Sequence, residues 1–531
     1  MTTTRRGFIQ QSAALGASAA APWMANLAAI GDAAAQTAVS DYKALVCVFL
    51  AGGNDHANTL VPIDLQANGS KPGFDTYIRY RPEIAYQWEA LRVGAGAGQA
   101  LLRSDRASLP GAGNMLPLSQ LVAQDAGLSA KGRSFAFSPP LTELKQLYDG
   151  GQLAVLLNVG TLVEPTRGYR AAPGSETLYY SCNADGSANL NRQAKLPPRL
   201  GSHNDQQLLW QSSNPEGASK GWGGFIADQT GGSLGNKVFS SISVAGNTVF
   251  LTGSSTIPYQ VTTANSLSVP LGSLRTSVYG STAVANVLGQ IITGQGVTTG
   301  QAVLERDLTT VVRRAISADD VLRNIARQEG DATYAPLNAV SGGIDLARQL
   351  RTVAHLIRNR DKLGASVGRQ VFFVQIGSFD THSGQNADHP WLLRQLSQSL
   401  HAFQQVLTNL GVQNNVTTFT ASDFGRTFNS NGDGTDHGWG STHFILGGAV
   451  KGKKFYGKVP QMDPALPSPD GANYYDDNGR GRLIPSTSVD QYAATLARWM
   501  GVPDAQLPSV LPNIGNYTGV TGWGNNLGFL A

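Results

Sequence analysis

Residues 371–420 spell one strand, one long helix and a second strand in succession, and that order limits the fold more than any other feature. Val371-Phe372-Phe373-Val374-Gln375-Ile376 is an apolar run of strand length. Leu392, Leu393, Leu396, Leu400, Phe403, Leu407 and Leu410 then recur at i, i+3, i+4 spacing, the stripe of a helix opened by Pro390 and closed by Gly411. The apolar run 416–420 follows. Such a unit predicts two parallel strands joined by a right-handed crossover. A parallel sheet needs cover on both faces, so a largely parallel α/β sheet with helices on both sides is expected. Lys43 to Leu50 and residues 153–159 read as further buried strands, the latter after a helix over 141–148 that Gly150-Gly151 stops. Residues 304–327 and 344–360 are strong helical patterns. Residues 217–277 change character to Ser, Thr, Gly and Val in short alternating runs, which predicts a β-rich insertion or cap.

The first residues bear on location. Thr4-Arg5-Arg6-Gly7-Phe8-Ile9 is a twin-arginine n-region before an Ala-rich stretch, with small residues at Ala33-Ala34-Ala35 for cleavage. Residues 1–36 are therefore expected to be a signal for the twin-arginine translocon, delivering the protein to the periplasm or the extracellular space. A membrane anchor is the alternative, but the stretch is short and interrupted by Pro22 and Asp32. The rest, residues 40–531, shows no obvious linker; its length allows two or three domains, or the single large α/β domain with an insertion that is expected here. No later segment approaches the length of a membrane span. Net charge is only +4 with no long basic run, which argues against nucleic acid as a partner. The two cysteines, Cys47 and Cys182, are too few for a disulfide scaffold, though one bridge between them is possible in an oxidising compartment.

Polar residues gather where the strands end. The first strand runs into Ala51-Gly52-Gly53-Asn54-Asp55-His56, and the strand at Val371 into Gly377-Ser378-Phe379-Asp380-Thr381-His382. The strand at Val416 leads to Asp423, after which Gly434-Thr435-Asp436-His437-Gly438-Trp439-Gly440-Ser441-Thr442-His443 forms a Gly-rich loop. Ligands of open α/β sheets bind at the carboxyl ends of the strands. Carboxylates and imidazoles meeting there suit a divalent metal ion such as Zn, Mn or Ca. Each residue also has a plainer reading: Asp380 and Asp55 as turn formers, Ser202 as the cap of a helix from Gln206 to Trp210, His355 and His401 as structural histidines of amphipathic helices.

These segments together resemble an exported bacterial family known as domain of unknown function 1501. That family is similar to the alkaline-phosphatase-like superfamily of phosphatases, sulfatases, phosphodiesterases and phosphoglycerate mutases. The resemblance implies a three-layer alkaline-phosphatase-like fold and a metal-dependent hydrolase acting on phosphate or sulfate esters. It further implies that Asp55, Asp380, His382, Asp423 and His437 hold the metal, with Ser202 as the best match for the nucleophile. Arg426 is the candidate for stabilising charge on the transferring group, its alternative being a salt bridge to a carboxylate. The pattern departs from the superfamily at Phe424, which stands where a metal histidine is expected. Either His203, Asp436 or His443 compensates, or one metal binds, or catalysis is lost and the protein is an exported binding or assembly protein.

Overall fold

The computed structural model describes residues 42–63, 72–86, 116–118, 134–214, 217–230, 238–267, 280–293, 303–328, 330–340, 345–363, 368–461, 463–468 and 473–531. The proposed signal at 1–36 lies outside the described residues. Among the described residues nine strands form the main sheet: β1 Lys43–Leu50, β2 Leu153–Gly160, β3 Ser241–Ser243, β4 Tyr259–Gln260, β5 Arg369–Ile376, β6 Val416–Ser422, β7 Ser441–Leu446, β8 Phe455–Tyr456 and β9 Thr487–Ser488. They lie in the order β4-β3-β5-β1-β6-β7-β2-β8, with β9 pairing the end of β2. All neighbouring pairs are parallel except those made by β7, which runs antiparallel to β6 and β2.

Strand β1 shows why both faces are covered. Ala44, Val46, Val48 and Leu50 enter one apolar cluster, while Leu45, Cys47 and Phe49 enter another, as the period of two demands. Helices α3 Asp345–Arg358 and α4 Gln385–Asn409 fill the first cluster with residues such as Leu350, Leu393 and Leu400. Helices α2 Trp222–Thr230 and α5 Val489–Met500 fill the second with Trp222, Ile226, Tyr492 and Leu496. The helical patterns at 304–327 and 344–360 appear as Val303–Asn324 and α3.

Three expectations change in detail. α4 starts at Gln385, not at Pro390, because Gly384 takes a left-handed conformation (φ 63°) and the helix carries Pro390 inside it. That earlier start brings Gln385 and His389 towards the strand ends. Residues 217–277 contain α2 and a 3-10 turn, Val249–Leu251, and their strands β3 and β4 extend the edge of the main sheet beside β5. Cys47 and Cys182 are both free thiols. Among the described residues no helix is long and apolar enough to cross a membrane.

Register aligns the strand ends. Leu50 pairs with Ile376 on one side and with Ser422 on the other, so the segments after β1, β5 and β6 leave the sheet together. Gly52 and Gly53, at φ 117° and 91°, let them close up. A Cβ on Gly52 would fall 2.3 Å from the Asp380 amide nitrogen, and one on Gly53 2.7 Å from the Phe424 ring.

A candidate metal centre at the strand ends

Asp380 leaves β5 on the short turn that Gly52 admits, and three histidines converge on its carboxylate. His437 Nε2 lies 3.1 Å and His382 Nε2 3.2 Å from its Oδ1, and His203 Nε2 is 3.4 Å from its Oδ2. The two ring nitrogens of His382 and His437 are 2.9 Å apart. Ligating atoms of His203, Asp380 and His437 all fall within 4.8 Å of one another. For scale, two nitrogens on a tetrahedral zinc at its usual bond length are about 3.3 Å apart. The side chains of Asp380, His382 and His203 stay 42%, 43% and 31% exposed, so the cluster is open to solvent.

Behind each imidazole stands a polar group at Nδ1. His203 Nδ1 is 2.6 Å from Asp423 Oδ2, His382 Nδ1 is 3.2 Å from Asp436 Oδ1, and His437 Nδ1 is 2.7 Å from the Gly201 carbonyl. The Gly201 carbonyl can only accept, so it fixes the His437 proton on Nδ1 and turns the Nε2 lone pair towards Asp380; His203 and His382 each have a carboxylate at both ring nitrogens. Metal-binding histidines are held in this way. The donor set of His203, Asp380 and His437 therefore fits a divalent cation, with His382 close by at Asp380 and His437.

The electrostatics follow the contacts. The Asp423 hydrogen bond raises the His203 pKa, outweighing partial burial. Burial lowers that of His437, helped by the Arg426 charge and opposed by the Gly201 carbonyl. For Asp380 burial disfavours the charge, yet the hydrogen bond and charge of Arg426 hold the carboxyl below its ordinary value. The Asp436 carboxyl is held low by a hydrogen bond from Asn431 and, against burial, by His382.

Of the residues expected to bind metal, Asp380, His382 and His437 meet here, and Asp423 stands one shell back. Its side chain is fully buried, with Oδ1 accepting the Gly52 amide and Oδ2 facing His203 and Gln207. Asp55 does not join the cluster. One oxygen caps the short helix His56–Thr59 through the Ala57 and Asn58 amides, and the other accepts from Arg81 and Gln385. Both members of the Asp55–Arg81 pair are fully buried, and these donors take up the carboxylate. Ser202 caps helix α1, His203–Ser212, with its hydroxyl accepting the Asp205 amide. Arg426 is fully buried and spends its guanidinium on Asp380, the Gly52 carbonyl and Thr435, which is the salt-bridge alternative.

His203 stands at the start of α1, beside Phe424. Its ring packs 4.9 Å from Phe424, which also lies 4.5 Å from His437, so Phe424 forms an apolar wall and the imidazole arrives from another loop. His443 is elsewhere: it is buried in β7 beside Thr420 and Trp210, and burial lowers its pKa to about 3. The orienting roles of Gly201 and Asp436 were not visible in the sequence. The sequence signal for His203 was its place beside Ser202 in a polar loop.

Two solved structures share a distant likeness. One, titled as Ps i-CgsB in complex with k-i-k-neocarrahexaose, is 8% identical over 89% of this chain and 77% of that chain, with TM-score 0.31. The other, Ps i-CgsB alone, is 10% identical over 70% and 71%, with TM-score 0.28. Likeness at this level carries no argument. No curated protein matches the chain. Residues 361–468, which hold Asp380, His382, Asp423, Arg426 and His437, match the family described as protein of unknown function (DUF1501).

Proposed function

We propose that the protein is an exported metal-dependent hydrolase of phosphate or sulfate esters on an alkaline-phosphatase-like scaffold. The observation that carries this reading is the pairing of His437 with Asp380. With its Nδ1 proton given to Gly201, His437 presents a lone pair to a carboxylate oxygen 3.1 Å away, an arrangement a cation relieves. Three imidazoles beside one carboxylate suit Zn best and Ca, which takes oxygen ligands, least. A bound ion of this kind would polarise a phosphoryl or sulfuryl oxygen.

The chain's own residues supply the rest. Asp423, Asp436 and the Gly201 carbonyl keep the imidazoles oriented, and Arg426 keeps Asp380 ionised. Solvent exposure of Asp380 and His382 leaves a path for an ester. Residues 1–36 are read as the twin-arginine signal that takes the chain out of the cytoplasm.

A second reading, an exported binding protein without catalysis, is favoured by Arg426 and Ser202. The guanidinium is buried and already bonded, and the hydroxyl serves a helix cap, so neither is free for a transferring group as it stands. A screen of phosphate monoesters, diesters and sulfate esters with zinc-loaded protein separates the two readings. Turnover that is lost in His437→Ala supports hydrolysis. Zinc binding without turnover of any ester class supports the binding protein.

A further inference from the structure

A buried chain of hydrogen bonds runs from the first strand's end to the cluster, and its polarity is fixed at one end. The Asp55 carboxylate can only accept, so Gln385 must turn its amide nitrogen towards it. That leaves Gln385 Oε1 to accept from Thr435 Oγ1 at 2.8 Å and from Thr381 Oγ1 at 3.1 Å. With its proton given to Gln385, Thr435 Oγ1 accepts from Arg426 Nε at 3.2 Å. Arg426 then has its Nη1 aimed at Asp380 Oδ1. Gln385 is 1% exposed, and Thr435 and Arg426 are 0%, so water does not offer any of them an easy substitute.

We propose that Gln385 is a positioning residue for the metal centre: through Thr435 and Arg426 it transmits the orientation set by the buried Asp55–Arg81 pair to Asp380. Asp55, though no ligand, thereby serves the site. Flipping the Gln385 amide would set Oε1 against the Asp55 carboxylate and the amide nitrogen against the Thr435 hydroxyl. Thr435 could then no longer pass its proton to Gln385 and hold a lone pair for Arg426. The inference rests on the cluster being a cation site.

The test is a double-mutant cycle on zinc affinity, measured by chelator competition on the full chain without its proposed signal. Gln385→Leu and Thr435→Val each cut the same relay, so each is expected to weaken zinc about 10-fold, at the low end for groups that orient ligands. The double variant is expected to bind no more weakly than the weaker single one. Gln385→Met serves if Gln385→Leu does not fold. Unchanged affinity in the single variants, or losses that multiply in the double variant, would overturn the relay while leaving the cation site standing. Wild-type protein that takes up no zinc would end both the cation site and the relay.

Discussion

His437 Nδ1 lies 2.7 Å from the carbonyl oxygen of Gly201, 236 residues earlier in the chain, and that bond decides which way the imidazole faces. The loop before α1 thus delivers His203 to the cluster and also sets the tautomer of a histidine from the Gly-rich loop. Asp380 sits between them, held by Arg426 from beneath.

Asp423→Asn should weaken zinc binding by roughly 10–100-fold, the usual cost of losing an orienting carboxylate. With its oxygen kept by the Gly52 amide, its NH2 would face His203 Nδ1 as a donor where the carboxylate accepted. His437→Ala, which deletes a ligand, should cost more than that. Isothermal titration with zinc checks the ranking, and equal losses would contradict it.

Asp55→Ala should destabilise the fold by about 3–5 kcal/mol, since it strands the buried Arg81 guanidinium. Its pH signature has a definite sign. Burial opposes the charge, but Arg81 and neighbouring donors lower the folded-state pKa below 3.8. The contribution is present above the unfolded pKa and is lost as pH falls through the folded value. Urea midpoints of wild type and variant should converge in acid.

Asp490 has the opposite sign. Burial raises its carboxyl from 3.8 to about 7, against the hydrogen bonds of Ser213 and Asn513. The stability tied to its proton is fully present below about 4 and is lost as pH rises through about 7. Asp490→Asn should therefore melt higher than wild type at pH 8 and about equally at pH 4. Thermal scans at the two values check this, and a variant less stable at pH 8 would contradict it.

Ser202→Ala should cost about 1 kcal/mol, as for other helix caps, and leave zinc affinity within about two-fold. If ester turnover is found, the same variant shows whether the hydroxyl takes part in it.

The sheet was legible because its strands are buried on both faces and therefore apolar throughout, and Asp380, His382 and His437 stood out as candidates because they follow such strands. Period and length carry such information locally. The start of α4 was misjudged because Pro390 is a strong start signal, whereas Gly384 acts through a backbone angle that the letter G only permits. Asp55 looked like a ligand because its position matched. Its actual partners, Arg81 and Gln385, lie 26 and 330 residues away, and no local pattern pairs them. The short strands β3 and β4 read as an insertion because two or three residues do not reveal which sheet they join.

The most direct measurement is the metal content of the purified protein, by mass spectrometry, for wild type and His437→Ala. The account predicts a divalent transition metal, zinc first, bound stoichiometrically by wild type and lost from the variant. Wild-type protein without metal that also refuses added zinc, or a variant that retains it equally, would contradict it.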